Sequence, residues 1–253
     1  MAQYADYYFE YDEQQRVTRE SINGGAQVYS LSYTQSSFTN GYNSWLTKTV
    51  ETLPDGTLNT VYCSYAGRIM LRTLKSGSDE WHHFYEYDST CRIILAASPS
   101  AISGYDQTRV DLLNKVSGNY QYLRDSAGLI TTYTRHTPTG WLTRLSVQEG
   151  ELGTSIKVRE WEYIEAGTSG SSSSSYSSGS GSQLTWAPSK QIDYPDAANQ
   201  STKIETTFSY TWYTGTYQVK QKTTTLPVIS SLQNGSGTAS TRKEYFDEFG
   251  NLT

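Results

Sequence analysis

Residues 85–93 read Tyr85-Glu86-Tyr87-Asp88-Ser89-Thr90-Cys91-Arg92-Ile93, and this phrase decides which fold the sequence predicts. Successive side chains of a strand point to opposite faces, so Tyr85 and Tyr87 share one face. The carboxylate of Asp88 can accept hydrogen bonds from the backbone just ahead of it, which favours a turn. A positive φ, which glycine adopts easily, then closes the loop into a return strand. The phrase therefore predicts a β-hairpin.

The same phrase recurs along the chain. Clear copies lie at residues 9–17 and 245–253, and looser copies at 62–69 and 120–130. The residues that define the copies are Phe9, Tyr11, Asp12 and Arg16; Tyr62, Gly67 and Arg68; Tyr85, Tyr87, Asp88 and Arg92; Tyr120, Tyr122 and Gly128; and Tyr245, Asp247 and Gly250. A repeated unit of this kind buries its apolar face by stacking on its neighbours. We therefore expect Tyr85 and Tyr87 to be largely buried in rows with their equivalents Phe9 and Tyr11.

Two of the predicted turns lack glycine. Gln15 and Cys91 stand at the positions where glycine is expected. Those turns must either avoid a positive φ or tolerate some strain there. We also expect the acidic and basic residues of each copy, such as Asp88 and Arg92, to bridge neighbouring turns.

The phrase resembles the YD repeat of the RHS (rearrangement hotspot) family. That family includes bacterial toxin shells, the B and C components of insecticidal toxin complexes, and animal teneurins. The resemblance implies antiparallel β-hairpins in a long sheet that spirals into a hollow shell, which usually encloses a C-terminal toxin or other cargo. It also implies a secreted or cell-surface parent protein. The stretch from Trp81 to Leu113 resembles very large RHS proteins of environmental bacteria. Residues 141–241 match the family only in their general strand-like character, without clear copies of the phrase. The family's core signature with its aspartyl self-cleavage site is absent, so no cleavage residue carries over.

Composition favours a thin sheet over a thick globular core. Tyrosine is prominent, with 22 copies in 253 residues, while hydrophobic residues reach 36%, below the roughly 45–50% of an average domain. The aromatic content of 13% argues against disorder, because disordered segments are poor in aromatic residues. The net charge of −5 has mixed signs and forms no basic patch, so nucleic acid is not an expected partner. No apolar run approaches the roughly 20 residues that a membrane-spanning helix needs.

The chain is expected to form one repeat segment over residues 1–253, as an excerpt of a larger protein. Its beginning enters a repeat directly, without the pattern of a signal peptide, and its end falls where the last hairpin should return. Neither end resembles a polar cap. The Ser/Gly-rich stretch at about 167–183 is expected to be a flexible loop rather than an inter-domain linker. Residues 99–116 have aliphatic residues near helical spacing, but a loop with one helical turn fits equally well.

Candidate catalytic and metal-binding residues have simpler structural explanations. His82 and His83 are adjacent, so their rings point to opposite faces of a strand, and a surface pair is favoured over a metal site. The paired acids at Glu10/Asp12 and Glu86/Asp88 lie at turns, where capping explains them better than a glycosidase pair does. Cys63 and Cys91 are expected to be reduced thiols, with a disulfide as the alternative. We expect no catalytic residue, metal or cofactor.

The sequence thus predicts an all-β, non-catalytic, structural segment of an RHS-type shell. Its partners would be neighbouring repeats of the parent chain and, by the resemblance, an enclosed C-terminal cargo domain. One alternative is a cell-surface adhesin module that binds glycans with exposed aromatic rings clustered on a patch. The other is a β-helix polysaccharide-degrading enzyme, which would bring acids together in a groove.

Overall fold

The computed structural model describes residues 2–165 and 186–253, and the Ser/Gly-rich stretch at 167–183 lies outside them. The prediction of an all-β chain is confirmed. Its strands are β1 Tyr7–Tyr11, β2 Val17–Ile22, β3 Gln27–Gln35, β4 Trp45–Thr52, β5 Leu58–Ser64, β6 Ile69–Ser76, β7 Asp79–Tyr87, β8 Ile93–Ala97, β9 Lys115–Val116, β10 Asn119–Tyr120, β11 Leu129–Arg135, β12 Leu142–Glu149, β13 Ile156–Glu165, β14 Trp186–Asp193, β15 Ile204–Trp212, β16 Val219–Thr225 and β17 Thr241–Tyr245. The helical pieces among the described residues are single 3₁₀ turns at Ala2–Tyr4, Asn23–Gly25, Pro99–Ala101 and Ser231–Gln233. None of them has the length and apolar character that crossing a membrane requires.

Fifteen strands form one antiparallel sheet in the order β1 to β8, then β11 to β17. Neighbours in the sheet are therefore neighbours in the chain, apart from the step from β8 to β11. The residues between those two strands include a separate two-stranded ladder of β9 and β10. Such a meander forms from local hairpins, as the repeated turn phrase predicts.

Residues 99–116 are mostly irregular, so the alternative of a loop with one helical turn is correct. The only helical turn there is Pro99–Ala101. Leu112 and Asn114 have φ values of 68° and 54°, which an α-helix cannot accommodate. The aliphatic spacing in this stretch instead serves burial, because Leu112 and Leu113 are both fully buried.

The chain divides into two compact units. The first comprises Met1–Thr132 with Val147–Ser155, and its core forms where residues 98–124 pack against the sheet. That segment contributes Ala101, Ile102, Leu112, Leu113, Tyr120 and Leu123, and the strands contribute Trp45, Tyr62, Met70, Leu71, Phe84, Ala97 and Ile130. We call residues 98–124 the covering segment.

The second unit comprises Tyr133–Ser146 with Ile156–Thr253. Among its described residues, Ala187 and Ile192 are the buried hydrophobic side chains. Most strand residues here are half-buried, as in β13 and β16. This unit therefore has the character of a thin sheet, which the composition predicts.

Candidate functional site: the repeated turn and the tyrosine latch

Four of the five copies of the phrase fold into the same turn. In the copy at residues 85–93, the Asp88 amide donates to the carbonyl of Arg92 over 2.9 Å, and the Cys91 amide donates to the carbonyl of Asp88 over 3.0 Å. The same pair of backbone bonds closes the turns that begin at Asp12, Ser64 and Asp247. The pattern is a type I turn followed by a residue of positive φ, a common hairpin connection.

The residue of positive φ is glycine in some copies only. Gly67 and Gly250 have φ values of 70° and 87°, whereas Gln15 and Cys91 have 62° and 65°. The two non-glycine turns therefore tolerate the left-handed conformation instead of avoiding it. A non-glycine residue in this conformation costs roughly 1–2 kcal/mol, which the surrounding hairpin must offset.

The aspartate at the start of the turn is saturated by its own loop. One carboxylate oxygen of Asp88 accepts the backbone N–H groups of Thr90 and Arg92, and the other accepts Nε of Arg92 over 2.9 Å. Burial alone would raise the pKa of Asp88, but these hydrogen bonds outweigh it and lower the pKa to about 2. Asp12 is bound by Arg16 in the same way, and Asp247 by Asn251.

The expectation that the acidic and basic residues of a copy bridge neighbouring turns was wrong. Arg92 and Asp88 are four residues apart in one turn, because the return of the chain brings the basic side chain over its own aspartate. At Ser64, which offers no carboxylate, Arg68 instead donates to Sγ of Cys91 over 3.3 Å. Both cysteines are free thiols.

Three of these hairpins share a register shift directly before the turn. The pairing slips between Glu10 and Tyr11, between Tyr62 and Cys63, and between Glu86 and Tyr87. Each slip leaves one extra residue on the return strand, which is a β-bulge and increases the local twist. As a result, the first residue of the return strand falls outside the ladder with the next strand: β6 pairs with β7 only from Leu71 onward.

The carbonyl left over by this arrangement is bound by a tyrosine of the following strand. The hydroxyl of Tyr87 in β7 donates to the carbonyl of Ile69, the first residue of β6, over 2.7 Å. Tyr33 in β3 donates in the same way to Val17, the first residue of β2, over 2.7 Å. Tyr163 in β13 donates to Leu142, the first residue of β12, over 2.6 Å, although the turn before Leu142 is longer and spans His136 to Trp141. We call each such bond a tyrosine latch. At Ile69 and Val17 it satisfies a main-chain acceptor that the bulge would otherwise leave without a protein partner.

The latch is a feature that reading the sequence missed. The high tyrosine content was its only signal, since Tyr33 and Tyr163 lie outside the quoted phrases. Burial raises the pKa of Tyr87 to about 12. Its hydroxyl therefore stays protonated and can donate at physiological pH.

The aromatic residues of the phrase are not buried equally. Tyr87 is 6% exposed and Tyr85 is half-buried, but Phe9 and Tyr11 are 39% and 60% exposed. The expected burial of Phe9 and Tyr11 was therefore wrong. Their strand, β1, is the outermost strand of the sheet, so no described strand packs on its outer side.

The first tyrosines of the two looser copies, Tyr62 and Tyr120, belong to the core of the first unit. Tyr62 is fully buried and its ring packs against Tyr105 of the covering segment. Tyr120 belongs to β10 in the covering segment, not to a hairpin that turns at residue 125, and its ring packs against Phe84. Gly128 follows with a φ of 85°, and a Cβ there would lie 2.2 Å from the backbone nitrogen of Ala101. This copy therefore fastens the covering segment and does not form another repeat turn.

Tyr122 and Tyr245, the remaining tyrosines of the phrase, lie in different environments. Tyr122 is half-buried and packs against the core of the first unit. Tyr245, at the end of β17, is 49% exposed. Neither has the latch geometry of Tyr87.

The histidine pair divides between core and solvent. His82 is only 7% exposed, lies 3.0 Å from the Thr73 hydroxyl through Nδ1, and packs edge-on against Tyr105. His83 is exposed on the opposite face. The opposite orientation was correctly expected, but placing both rings on the surface was wrong for His82. Within residues 2–165 and 186–253, no three potential metal-ligating side chains come together.

Glu86 and Glu160 are both engaged in ion pairs. Glu86 lies 2.6 Å from Nζ of Lys115. In the second unit, Glu160 lines a shallow depression of about 270 Å³ and is bound by Arg144, Lys157 and the hydroxyl of Tyr194. Burial would raise the pKa of Glu160, but these hydrogen bonds lower it below its usual value. A carboxyl of lowered pKa is poorly suited to act as a general acid.

Comparisons with known proteins give distant structural neighbours. No protein-family model and no curated protein matches the chain. A porin-like protein from Bacteroides uniformis is 13% identical, with a TM-score of 0.31 over 94% of this chain and 88% of that one. The TcdB2-TccC3 structure is 14% identical and a Photorhabdus luminescens Tc holotoxin pore 15% identical, each with a TM-score of 0.29. Both cover 97% of this chain, which spans only 13% of theirs. Likenesses this distant carry no argument about function.

Proposed function

We propose that this chain is a structural, non-catalytic segment of an RHS-type shell, in which hairpins stack side by side to build a wall. The observation that carries the proposal is the tyrosine latch, because it joins each donor strand to the hairpin before it. The bond between Tyr87 and the carbonyl of Ile69 is internal to neither hairpin. Hairpins linked in this way stabilise one another, which is the behaviour of repeat arrays.

The recurring turn supports the same proposal. Its aspartate, its positive φ and its bulge recur at different points of the sheet. Each of these features serves the hairpin itself, and the aspartate that starts the turn is bound by groups of its own loop. In the parent protein, the partners would be neighbouring repeats and an enclosed C-terminal cargo domain, as the resemblance implies.

The first test is the coding sequence that flanks these residues in the parent gene. A shell predicts further copies of the phrase, with a tyrosine in position to latch onto each preceding return strand, and a variable segment downstream. Flanking sequence that encodes unrelated domains without the phrase would contradict the shell.

The second test concerns catalysis. The purified chain should not hydrolyse a panel of polysaccharides, peptides or nucleic acids. Turnover that disappears in Glu160→Gln or Glu86→Gln, with the fold intact by circular dichroism, would overturn the structural role in favour of the enzyme.

A glycan-binding module is the second candidate, and one aromatic cluster favours it. Trp141 is 43% exposed, and the centroid of its ring lies 5.2 Å from that of Tyr163. The ring centroids of Trp186 and His136 lie 4.5 Å apart. Exposed aromatic rings of this kind stack on sugars. Binding on a glycan array that is lost in Trp141→Ala, and kept in the control Trp81→Ala, would support this candidate over the shell.

A further inference from the structure

Strand β1 has an outer edge that no described strand covers. Strand β1 ends the order of the sheet and pairs only with β2 among the described strands. Its side chains alternate in exposure, with Tyr7, Phe9 and Tyr11 exposed. A strand with an unpaired edge presents a row of backbone donors and acceptors to another extended chain.

The hairpin of β1 and β2 is an equivalent of the hairpin of β7 and β8. Both turn on an aspartate, and both have the register shift directly before it, with Tyr11 opposite Val17 and Tyr87 opposite Ile93. The outer edge of β7 is occupied by β6, and Tyr87 is 6% exposed with its hydroxyl on the Ile69 carbonyl. Tyr11 is 60% exposed, and no described residue forms a hydrogen bond with its hydroxyl. Strand β1 therefore has the donor of a latch without its acceptor.

We propose that the edge of β1 binds the return strand of another YD-type hairpin, antiparallel, with the hydroxyl of Tyr11 donating to the carbonyl of that strand's first residue. This occupant follows from continuity, because the surface repeats the β6–β7 interface of the same sheet. The chemistry is β-strand addition, in which main-chain hydrogen bonds supply affinity and side-chain contacts supply register. The inference rests on the proposed function and names the partner that extends the wall.

The probe is a synthetic fluorescein-labelled peptide of residues 64–76, which contains the turn and β6, the strand that occupies this position on β7. It is titrated against the full chain, and fluorescence anisotropy reports binding. Hydrogen exchange then locates the peptide through the amides that it protects. The control peptide carries Leu71→Pro, because proline removes a ladder donor and is not tolerated in a paired strand.

The expected result is saturable binding with protection of residues 7–11, and no binding of the proline peptide. Tyr11→Phe should weaken binding about fivefold, the effect of losing one hydrogen bond. Tyr7→Phe is the matched control, since Tyr7 is 63% exposed on the same strand but has no latch position, and it should leave binding unchanged. No binding, equal effects of the two variants, or protection elsewhere in the sheet would overturn the inference. The latches inside the sheet are tested separately on Tyr87, so the proposed function can survive its failure.

Discussion

The hydroxyl of Tyr87 lies 2.7 Å from the carbonyl oxygen of Ile69, and this bond joins two hairpins at the point where the backbone ladder between them has ended. Ile69 is the first residue of β6, but β6 pairs with β7 only from Leu71 onward. The bulge in one hairpin thus creates the acceptor that the tyrosine of the next hairpin uses. The repeat is therefore a turn together with its connection to the preceding hairpin.

Glycine at position 15 should stabilise the chain. Gln15 has a φ of 62°, and Gln15→Gly removes a left-handed penalty that the greater freedom of glycine in the unfolded state partly offsets, for a net gain of about 0.5 kcal/mol. Gly67→Ala should lower the free energy of unfolding by about 1 kcal/mol, because alanine would carry the left-handed penalty at this position. Nothing lies within 4 Å of the added Cβ, so no steric clash adds to the loss. Urea unfolding measures both changes. Gln14→Gly is the control, and a gain there equal to that of Gln15→Gly would contradict the explanation from φ.

Asp88 should make stability depend on acid pH. Its pKa is lowered from 3.8 to about 2 in the folded chain, so the unfolded chain binds the proton first. The stabilisation is complete above the unfolded value and is lost as the pH falls through the folded value. In Asp88→Asn, unfolding free energies should be lower at neutral pH and should fall less between these two pH values. The control Asp79→Asn, an exposed acid, should retain the wild-type slope, and equal slopes for wild type and Asp88→Asn would exclude this role.

His82 should make stability depend on pH at higher pH values than Asp88 does. Burial lowers its pKa from 6.5, and the nearby carboxylate of Glu80 opposes the shift only in part. The unfolded chain therefore takes up the proton first, and stability should fall as the pH drops below 6.5. Replacing His82 with Gln should flatten this part of the profile of melting temperature against pH. His83→Gln, at an exposed position, should leave the profile unchanged, and the reverse result would place the sensitive group elsewhere.

Leu113 should anchor the covering segment to the core of the first unit. Leu113 is fully buried there, and Leu113→Ala should cost about 2–5 kcal/mol in denaturant unfolding. Val110→Ala, three residues earlier and 39% exposed, is the matched control and should change stability by less than about 0.5 kcal/mol. Similar losses for both variants would mean that the segment is not anchored through Leu113.

The sequence predicts what local chemistry determines and misses what depends on distant contacts. The turns at Asp12 and Asp88 were predictable because aspartate and the left-handed position act within five residues. The exposure of Tyr11 was not, since its pattern equals that of Tyr87 and only the strand order distinguishes an outer strand from an inner one. The burial of Leu112 was equally out of reach, because the covering segment packs on strands far away in the chain.

Native-state hydrogen exchange on Tyr87→Phe tests the central claim most directly. The substitution removes only the hydroxyl, and losing its bond should cost about 1 kcal/mol. If the latch joins the hairpins, exchange should accelerate by the same factor on both sides of it, in residues 69–76 and in residues 79–87. Tyr85→Phe, on the same strand but half-buried and without a latch, should leave both segments at wild-type rates. Acceleration confined to residues 79–87, or none in either segment, would contradict the claim that tyrosine latches hold the stacked hairpins together.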